Sequence, residues 1–325
     1  MIKVGVVGAA GYVGGEICRL LLLHPDVEFV FAQSSSSAGE PLYSVHEDLF
    51  GGCDMLFSEG IQADVDVVFL CSGHGKSLSF LEANALPEAC VVIDLGNDFR
   101  LKADAHSAGR EFAYGLSDYF GADVEKCRNV ANPGCFATAI QLGILPLAAA
   151  GVLSDDVHVT AITGSTGAGQ KPSSTTHFSW RANNLSTYKT FSHQHLGEIG
   201  ESVTRLQPSF DGAINFVPYR GDFPRGIIAT IHTKCSLSRE EVEALFAKHY
   251  ADSKFTFVSS KPINLKQVVN TNKSLLHIEK HGDYLLVTSV IDNLLRGAAG
   301  QAIENMNRIF SLPLDSGLKL KALAF

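Results

Sequence analysis

Apolar and polar positions follow two rhythms along this chain. "IKVGVVGA" (2–9) is a short β-branched run, the pattern of a buried strand. "GYVGGEICRLLLLHP" (11–25) shifts to helical spacing, and "VEFVFAQ" (27–33) returns to a strand. "VDVVFLCS" (65–72) and "CVVIDLG" (90–96) predict two more strands, with apolar helix-like stretches between. Strand, helix, strand in repetition predicts an α/β fold: a Rossmann-like, doubly wound parallel sheet. The apolar run "FATAIQLGILPLAAAG" (136–151) predicts a buried helix. It is expected to close a first domain of residues 1–150.

A looser order follows. "VHVTAIT" (157–163), "GIIATIHTKC" (226–235), "FTFVSS" (255–260) and "DYLLVTSVID" (283–292) read as strands of a second sheet. "SREEVEALFAKHYAD" (238–252) is an amphipathic helix with a serine cap and an acidic first turn. These predict an α+β catalytic domain over 151–295. "RGAAGQAIENMNRIF" (296–310) predicts a helix, so that 296–325 returns to the first domain.

The chain has 325 residues, of which 46% are hydrophobic, enough for two well-packed cores. Its net charge of -8 and the absence of a Lys/Arg block exclude ordinary nucleic-acid binding. No apolar run reaches the ~18–20 residues of a membrane span, and the N-terminus lacks a signal-peptide pattern. Seven scattered cysteines without a CxxC pair argue against a disulfide framework and a zinc site. No metal is expected, and a reducing cytoplasm is the natural location.

Two glycine-led junctions carry the candidate chemistry. "GAAGYVG" places Gly8, Gly11 and Gly14 between a strand and a helix, with Ala10, Tyr12 and Val13 in the same turn. Such a turn brings backbone N–H groups to a pyrophosphate at a helix N-terminus. Where NAD enzymes carry an acid after the second strand, this chain has Ser34, Ser35 and Ser36. Hydroxyls without a carboxylate favour the 2′-phosphate of NADP(H); a plain polar loop is the other reading. Glu28 lies on the strand itself.

"NPGCFAT" (132–138) puts Cys135 at the start of a predicted helix. Unpaired N–H groups and a partial positive charge there favour a thiolate nucleophile. The alternative is a small core residue. "FSHQHLGEI" (191–199) supplies His193 and His195. In an extended segment both would face one side, and a histidine titrates in the range for proton transfer. No third ligand has metal-like spacing. "TGSTGAGQKPSSTTHF" (163–178) offers exposed N–H groups and Lys171 as a phosphate cradle, or is simply a surface loop. Arg100 and Arg225 are further candidates for anionic groups.

Several motifs together carry a resemblance: "GAAGYVGGE", "VIDLGNDFRL", "YGLSD", "ANPGCFAT", "GAGQKP", "NNLSTYKTFSHQHLGEI", "FPRGI" and "DNLLRGAAGQAIENMN". Nearly end to end, the chain resembles the N-acetyl-γ-glutamyl-phosphate reductases, NADPH-dependent enzymes of arginine biosynthesis. The resemblance implies an acyl phosphate substrate, Cys135 as nucleophile through a thioester, and His193 and His195 in the active site, with His193 favoured as acid/base. Asn132 and Glu198, within matched segments, are expected at the substrate. By likeness to related phosphorylating dehydrogenases, Asn293 is expected near the nicotinamide amide. Family members usually form dimers or tetramers.

The chain departs from the family pattern at Gln194, Gly197 and Tyr219 and in "CSGHGKS" (71–77). These departures leave open an N-succinyl or otherwise modified glutamyl phosphate. An aspartate-semialdehyde-type dehydrogenase and a non-catalytic NADP-binding sensor are the rival classes.

Overall fold

A computed structural model describes residues 1–323. The chain divides into two compact units. One joins residues 1–133 to 298–319; the other joins residues 134–297 to 320–323.

The first unit is built on β1 (Ile2–Val7), α1 (Tyr12–Leu22), β2 (Val27–Gln33), β3 (Phe57–Ser58), β4 (Val67–Leu70), α2 (Ser77–Ala83), β5 (Val91–Asp94), β6 (His106–Ser107), β7 (Arg110–Tyr114), α3 (Ser117–Cys127) and β8 (Asn129–Ala131). Its eight-stranded sheet has the order β3-β2-β1-β4-β5-β8-β7-β6. All neighbours pair in parallel except β6 with β7. β4 and β5 are buried at every position, as strands covered on both faces must be. α1 turns Gly14, Ile17, Cys18 and Leu21 inward, the stripe that helical spacing predicts. The strand order reverses between β1 and β4, the place where open α/β sheets take their ligands. α2 starts on a borrowed cap: the Asp98 carboxylate accepts from the N–H groups of Gly75, Ser77 and Leu78 at 2.9, 3.0 and 3.2 Å.

The second unit contains α4 (Cys135–Ala149), β9 (Val157–Thr163), α5 (Phe178–Arg181), β10 (Ser186–Thr187), α6 (His195–Leu206), β11 (Ile214–Arg220), β12 (Ile227–Lys234), α7 (Arg239–His249), β13 (Thr256–Ser259), β14 (Ser274–His281) and β15 (Tyr284–Ile291). The seven-stranded mixed sheet runs β10-β11-β9-β12-β15-β14-β13. In β9 and β12 buried and more exposed positions alternate, so one face carries the core. Ser238 and Glu241 close a reciprocal capping box at α7.

The sequence assigns the helix after Cys135 to the first domain, but α4 packs on α6, α7, β12 and β15. The reason is its composition. Every residue from Phe136 to Ala148 is buried, so this helix needs neighbours on all sides. Phe136, Ile140, Leu142, Ile144, Leu145 and Leu147 are each worth roughly 1.5–3 kcal/mol when buried. Pro146 inside the helix cannot donate to the carbonyl of Leu142. The Tyr250 hydroxyl, at the end of α7, donates to that carbonyl at 2.6 Å instead.

A one-turn π-helix over Leu295–Ala299 leads into α8 (Gly300–Ile309). α8 packs against α1 and α3 of the first unit. Ser117 Oγ donates to Glu304 at 2.7 Å, and the His24 ring bonds Asn307 at 2.9 Å.

Candidate active site

In the first unit the turn after β1 has a separate reason for each glycine. Gly8 has φ +75°, and a Cβ there would lie 2.7 Å from the backbone of Cys71 and Ser72. A Cβ on Gly14 would lie 2.5 Å from the Gly8 carbonyl oxygen. At Gly11 the nearest atom would be 3.6 Å away, so the protein itself does not demand glycine. A ligand approaching the backbone would. Gly11 is the N-cap of α1, with no side-chain cap and no acid in the first turn. Its N–H groups and positive helix end suit a pyrophosphate. His46 backs the turn, its Nε2 bonding the Ala9 carbonyl at 2.8 Å. The residues present therefore fit a dinucleotide.

β2 ends on the neutral Gln33, whose Oε1 accepts from the Gly8 N–H at 3.3 Å. Ser34 is buried and bonds Ser36; Ser35 and Ser36 are exposed. Glu28 sits five residues before Gln33, at the other end of the strand, roughly 16 Å away at ~3.3 Å per residue. Arg100 is buried. Its Nε donates to the Asn132 carbonyl at 2.9 Å and its Nη2 to Leu95 at 3.3 Å. The Asn132 side chain is held by Ala298 and Asn305 at 3.2 and 3.3 Å. Both residues brace the carboxyl ends of β5 and β8.

In the second unit Cys135 is the first residue of α4. The N-cap, Gly134, is extended and offers no side-chain cap, and the first turn holds no acid. The helix end thus sets its partial positive charge beside the sulfur. The contrast with other cysteines is chemical. Burial raises the thiols of Cys18, Cys71 and Cys127, and pushes Cys90 up to about 11.

The histidines converge on the same helix tip, though not through an extended segment. His195 opens α6, so the shared strand face expected for residues two apart does not exist. The rings still lie 4.5 Å apart at 72°. His193 stands two residues before the first of the helix, and its Nδ1 accepts from the His195 N–H at 3.2 Å. That bond places the proton of the neutral ring on Nε2. His195 lies against Gly134: a Cβ there would be 2.3 Å from His195 Nε2. Glu198, one turn along α6, accepts from the Gly134 N–H at 3.0 Å and lies 3.9 Å from His195 Nε2. All three side chains are buried. Gly297 completes the packing, since a Cβ there would lie 2.8 Å from Cys135 Cβ.

Tyr188, which the sequence did not single out, belongs to this cluster. Its ring is 5.7 Å from that of His193. Burial, then the nearby Cys135, raise its hydroxyl, while Arg220 opposes them. Arg220 lies over the Tyr188 ring at 4.5 Å.

Comparison with known proteins agrees with this geometry. Residues 3–126 match the model of the semialdehyde dehydrogenase NAD binding domain, and residues 135–293 that of the semialdehyde dehydrogenase dimerisation domain. The N-acetyl-gamma-glutamyl-phosphate reductase of Flavobacterium johnsoniae is 52% identical over 325 residues, all of both chains. That of Bacteroides thetaiotaomicron is 52% identical over 326 aligned positions, again all of both chains. The chain belongs to the N-acetyl-γ-glutamyl-phosphate reductases. Aspartate semialdehyde dehydrogenase II of Vibrio cholerae shares the fold, with a TM-score of 0.70 at 16% identity, covering 96% of this chain and 99% of that one.

The remaining residues that suggested this reductase family occupy varied positions. Lys171 is exposed, and five of the N–H groups in the loop before it already have partners. Gly164, Ser165 and Thr166 donate to Gly226, Phe223 and Pro224, while Gly167 and Gly169 close their own turn. Asn293 is buried; its Oδ1 accepts from the Gly226 N–H at 2.7 Å and its Nδ2 donates to Thr166 at 3.1 Å. It thereby ties the two loops together. Arg225 makes a two-pronged pair with the buried Asp292, at 3.1 and 3.3 Å, so a carboxylate of the protein already answers its charge. Among the departures from the reductase pattern, Gln194 accepts from Lys189 at 2.8 Å. Among the described residues no group of three His, Cys, Asp or Glu side chains is placed to hold a metal ion.

Proposed function

We propose that the chain reduces N-acetyl-γ-glutamyl phosphate to N-acetylglutamate 5-semialdehyde with release of phosphate, using NADPH. The observation that carries the chemistry is Cys135 on an uncapped helix N-terminus, with His193, His195 and Glu198 packed around Gly134. The Gly8–Gly14 turn would hold NADPH, with Ser35 and Ser36 available to its 2′-phosphate, and the cofactor would supply the hydride. Every other step belongs to the chain. The Cys135 thiolate attacks the acyl phosphate carbonyl, the C–O bond to phosphate breaks, and a thioester forms. Hydride on the thioester carbon gives a thiohemiacetal oxyanion, which collapses to the aldehyde and expels the thiolate. N–H groups of the first turn of α4 stabilise that oxyanion. His193 takes the thiol proton to become an imidazolium, its Nδ1 releasing the His195 N–H, and then gives the Nε2 proton to the leaving phosphate. His195, wedged between Gly134 and Glu198, sets the helix tip and the substrate.

The second unit's match to a dimerisation domain supports a homodimer or a homotetramer. Its sheet supports the same reading: β9 and β12 leave His158, Thr160 and His232 open to solvent. Among the described residues no helix is long and apolar enough to cross a membrane. That agrees with a biosynthetic enzyme of the cytoplasm.

The test is an NADP-linked assay in the direction of semialdehyde plus phosphate. N-acetylglutamate semialdehyde should be turned over, and an N-succinyl analogue should be poorer. Preference for the N-succinyl compound would move the acyl group, and preference for aspartate semialdehyde would sink the assignment.

A further inference from the structure

Arg220 is the last residue of β11 and shares a strand face with Phe216 and Pro218. That face looks into the site: the Phe216 ring lies 5.1 Å from Phe136 and 5.5 Å from His193. Tyr219 falls on the other face, with Ile162 of β9 beside it. The guanidinium of Arg220 lies 4.5 Å above the Tyr188 ring. Tyr188 in turn neighbours His193 and Cys135.

The charge of Arg220 is unusual for its setting. Its Nε is buried and bonds nothing, and no carboxylate pairs with it among the described residues. A second guanidinium acts on it: Arg181 donates to the Arg220 carbonyl at 2.6 Å, and the two cations repel. A half-buried arginine kept beside another cation is a site awaiting an anion. Arg225 does not fill that role, because Asp292 holds it.

We infer that Arg220 binds the α-carboxylate of the N-acyl amino acid substrate. The inference rests on the reaction proposed above. The substrate carries two anionic groups. Its phosphate sits on the carbon that Cys135 attacks. Its carboxylate lies four bonds further along, matching a cation that stands beyond Tyr188 rather than at the sulfur. The planar guanidinium, stacked on an aromatic ring, presents the paired N–H groups that a carboxylate accepts. Tyr188 thereby links the two ends of the substrate site: one side meets the acid/base histidine, the other orients the specificity arginine.

The reverse reaction makes the two anions separate substrates, so it can tell them apart. Arg220→Met should raise KM for N-acetylglutamate semialdehyde by about 10- to 100-fold, the range of a lost charge-assisted bond. KM for inorganic phosphate and for NADP should stay within about twofold. Arg220→Lys should recover part of the loss, since it keeps the charge without the fork. Wild type should disfavour 4-acetamidobutanal, which lacks the carboxylate, by a similar factor, and Arg220→Met should lose that discrimination. An unchanged semialdehyde KM, a rise in phosphate KM instead, or retained discrimination would each overturn the inference while the wild-type reaction stands. No wild-type turnover would remove the reaction and this inference together.

Discussion

Two helices of this molecule begin in nearly the same way and for opposite purposes. α1 and α4 each start on an extended glycine N-cap, Gly11 at φ -76°, ψ 166° and Gly134 at φ -70°, ψ 152°. Neither has a side-chain cap, and neither has an acid in its first turn. The difference is in what fills the space above the glycine. At Gly11 no protein atom would come within 3.6 Å of an added Cβ; at Gly134 the His195 ring would be 2.3 Å away. One helix end is left open for a group the chain does not make. The other is packed shut around a group that it does make, the proposed nucleophile Cys135. Glycine before a helix therefore carries two meanings, and only the surrounding atoms separate them.

The largest effect should come from removing what the closed end serves. Cys135→Ala should cut turnover by roughly 10⁴-fold or more, while NADPH binding at the open end stays near wild type. Steady-state rates and cofactor titration by fluorescence check both halves. Near-normal activity would falsify the assignment of the nucleophile.

Next come the histidines around the closed end. His193→Asn should lower kcat by about 10²–10⁴-fold and flatten one limb of the pH–rate profile. His195→Asn should act mainly through KM for the acyl substrate. If His195→Asn loses the limb and His193→Asn keeps it, the two roles are exchanged. If both keep it, Glu198 becomes the acid/base to test.

The comparison itself is sharpened by one substitution made at both ends. Gly134→Ala must push His195 aside, so it should destabilise the second unit by about 1–3 kcal/mol and depress kcat. Gly11→Ala meets protein atoms only at van der Waals distance, 3.6 Å at the nearest, so Tm should hardly move while KM for NADPH rises. Thermal unfolding followed beside cofactor titration separates the two. Equal losses of Tm would show that the open end is packed after all.

The smallest effect concerns the serines. Ser35→Asp should shift preference toward NADH by about 5- to 30-fold, through repulsion of the 2′-phosphate at an exposed position. The ratio of kcat/KM for the two cofactors measures it. A ratio that stays put would place the 2′-phosphate away from this loop.

Much of this was legible along the chain because it depends on short-range pattern. β2 and β9 are found over the residues that their alternation predicts, 27–33 and 157–163, and the Ser238 cap opens α7. The misses have physical causes. β11 hides behind Pro218, which speaks against a strand. Pro218 is accommodated between β9 and the two-residue β10 near the sheet edge. α6 carries Gly197 and Gly200 among its twelve residues and reads as a loop. Missing it left the histidines on a strand that is not there. The Glu198 bond to Gly134 did have a signal, since His195 and Glu198 are three apart, the spacing of neighbours on a helix. Tyr188 and Arg220 gave none, because only the sheet brings them together. Arg225 misled because a buried aspartate 67 residues away decides its charge balance.

The burial of α4 has a consequence for hydrogen exchange. Residues 136–148 have no solvent-facing side, and Tyr250 takes up the carbonyl that Pro146 leaves without a donor. A segment so enclosed has no cheap local opening, so its amide protons should exchange only when the whole second unit opens. Cys135, the proposed nucleophile, is mounted on the tip of that segment rather than on a loop. Fraying, the usual weakness of a helix end, is checked there by the Gly134–Glu198 bond and the packing of His195 and Gly297. Protection at Thr138 and Ala139, the first amides with a carbonyl partner four residues back, should therefore resemble that of the helix middle, and the Cys135 sulfur should keep its setting until the unit around it unfolds.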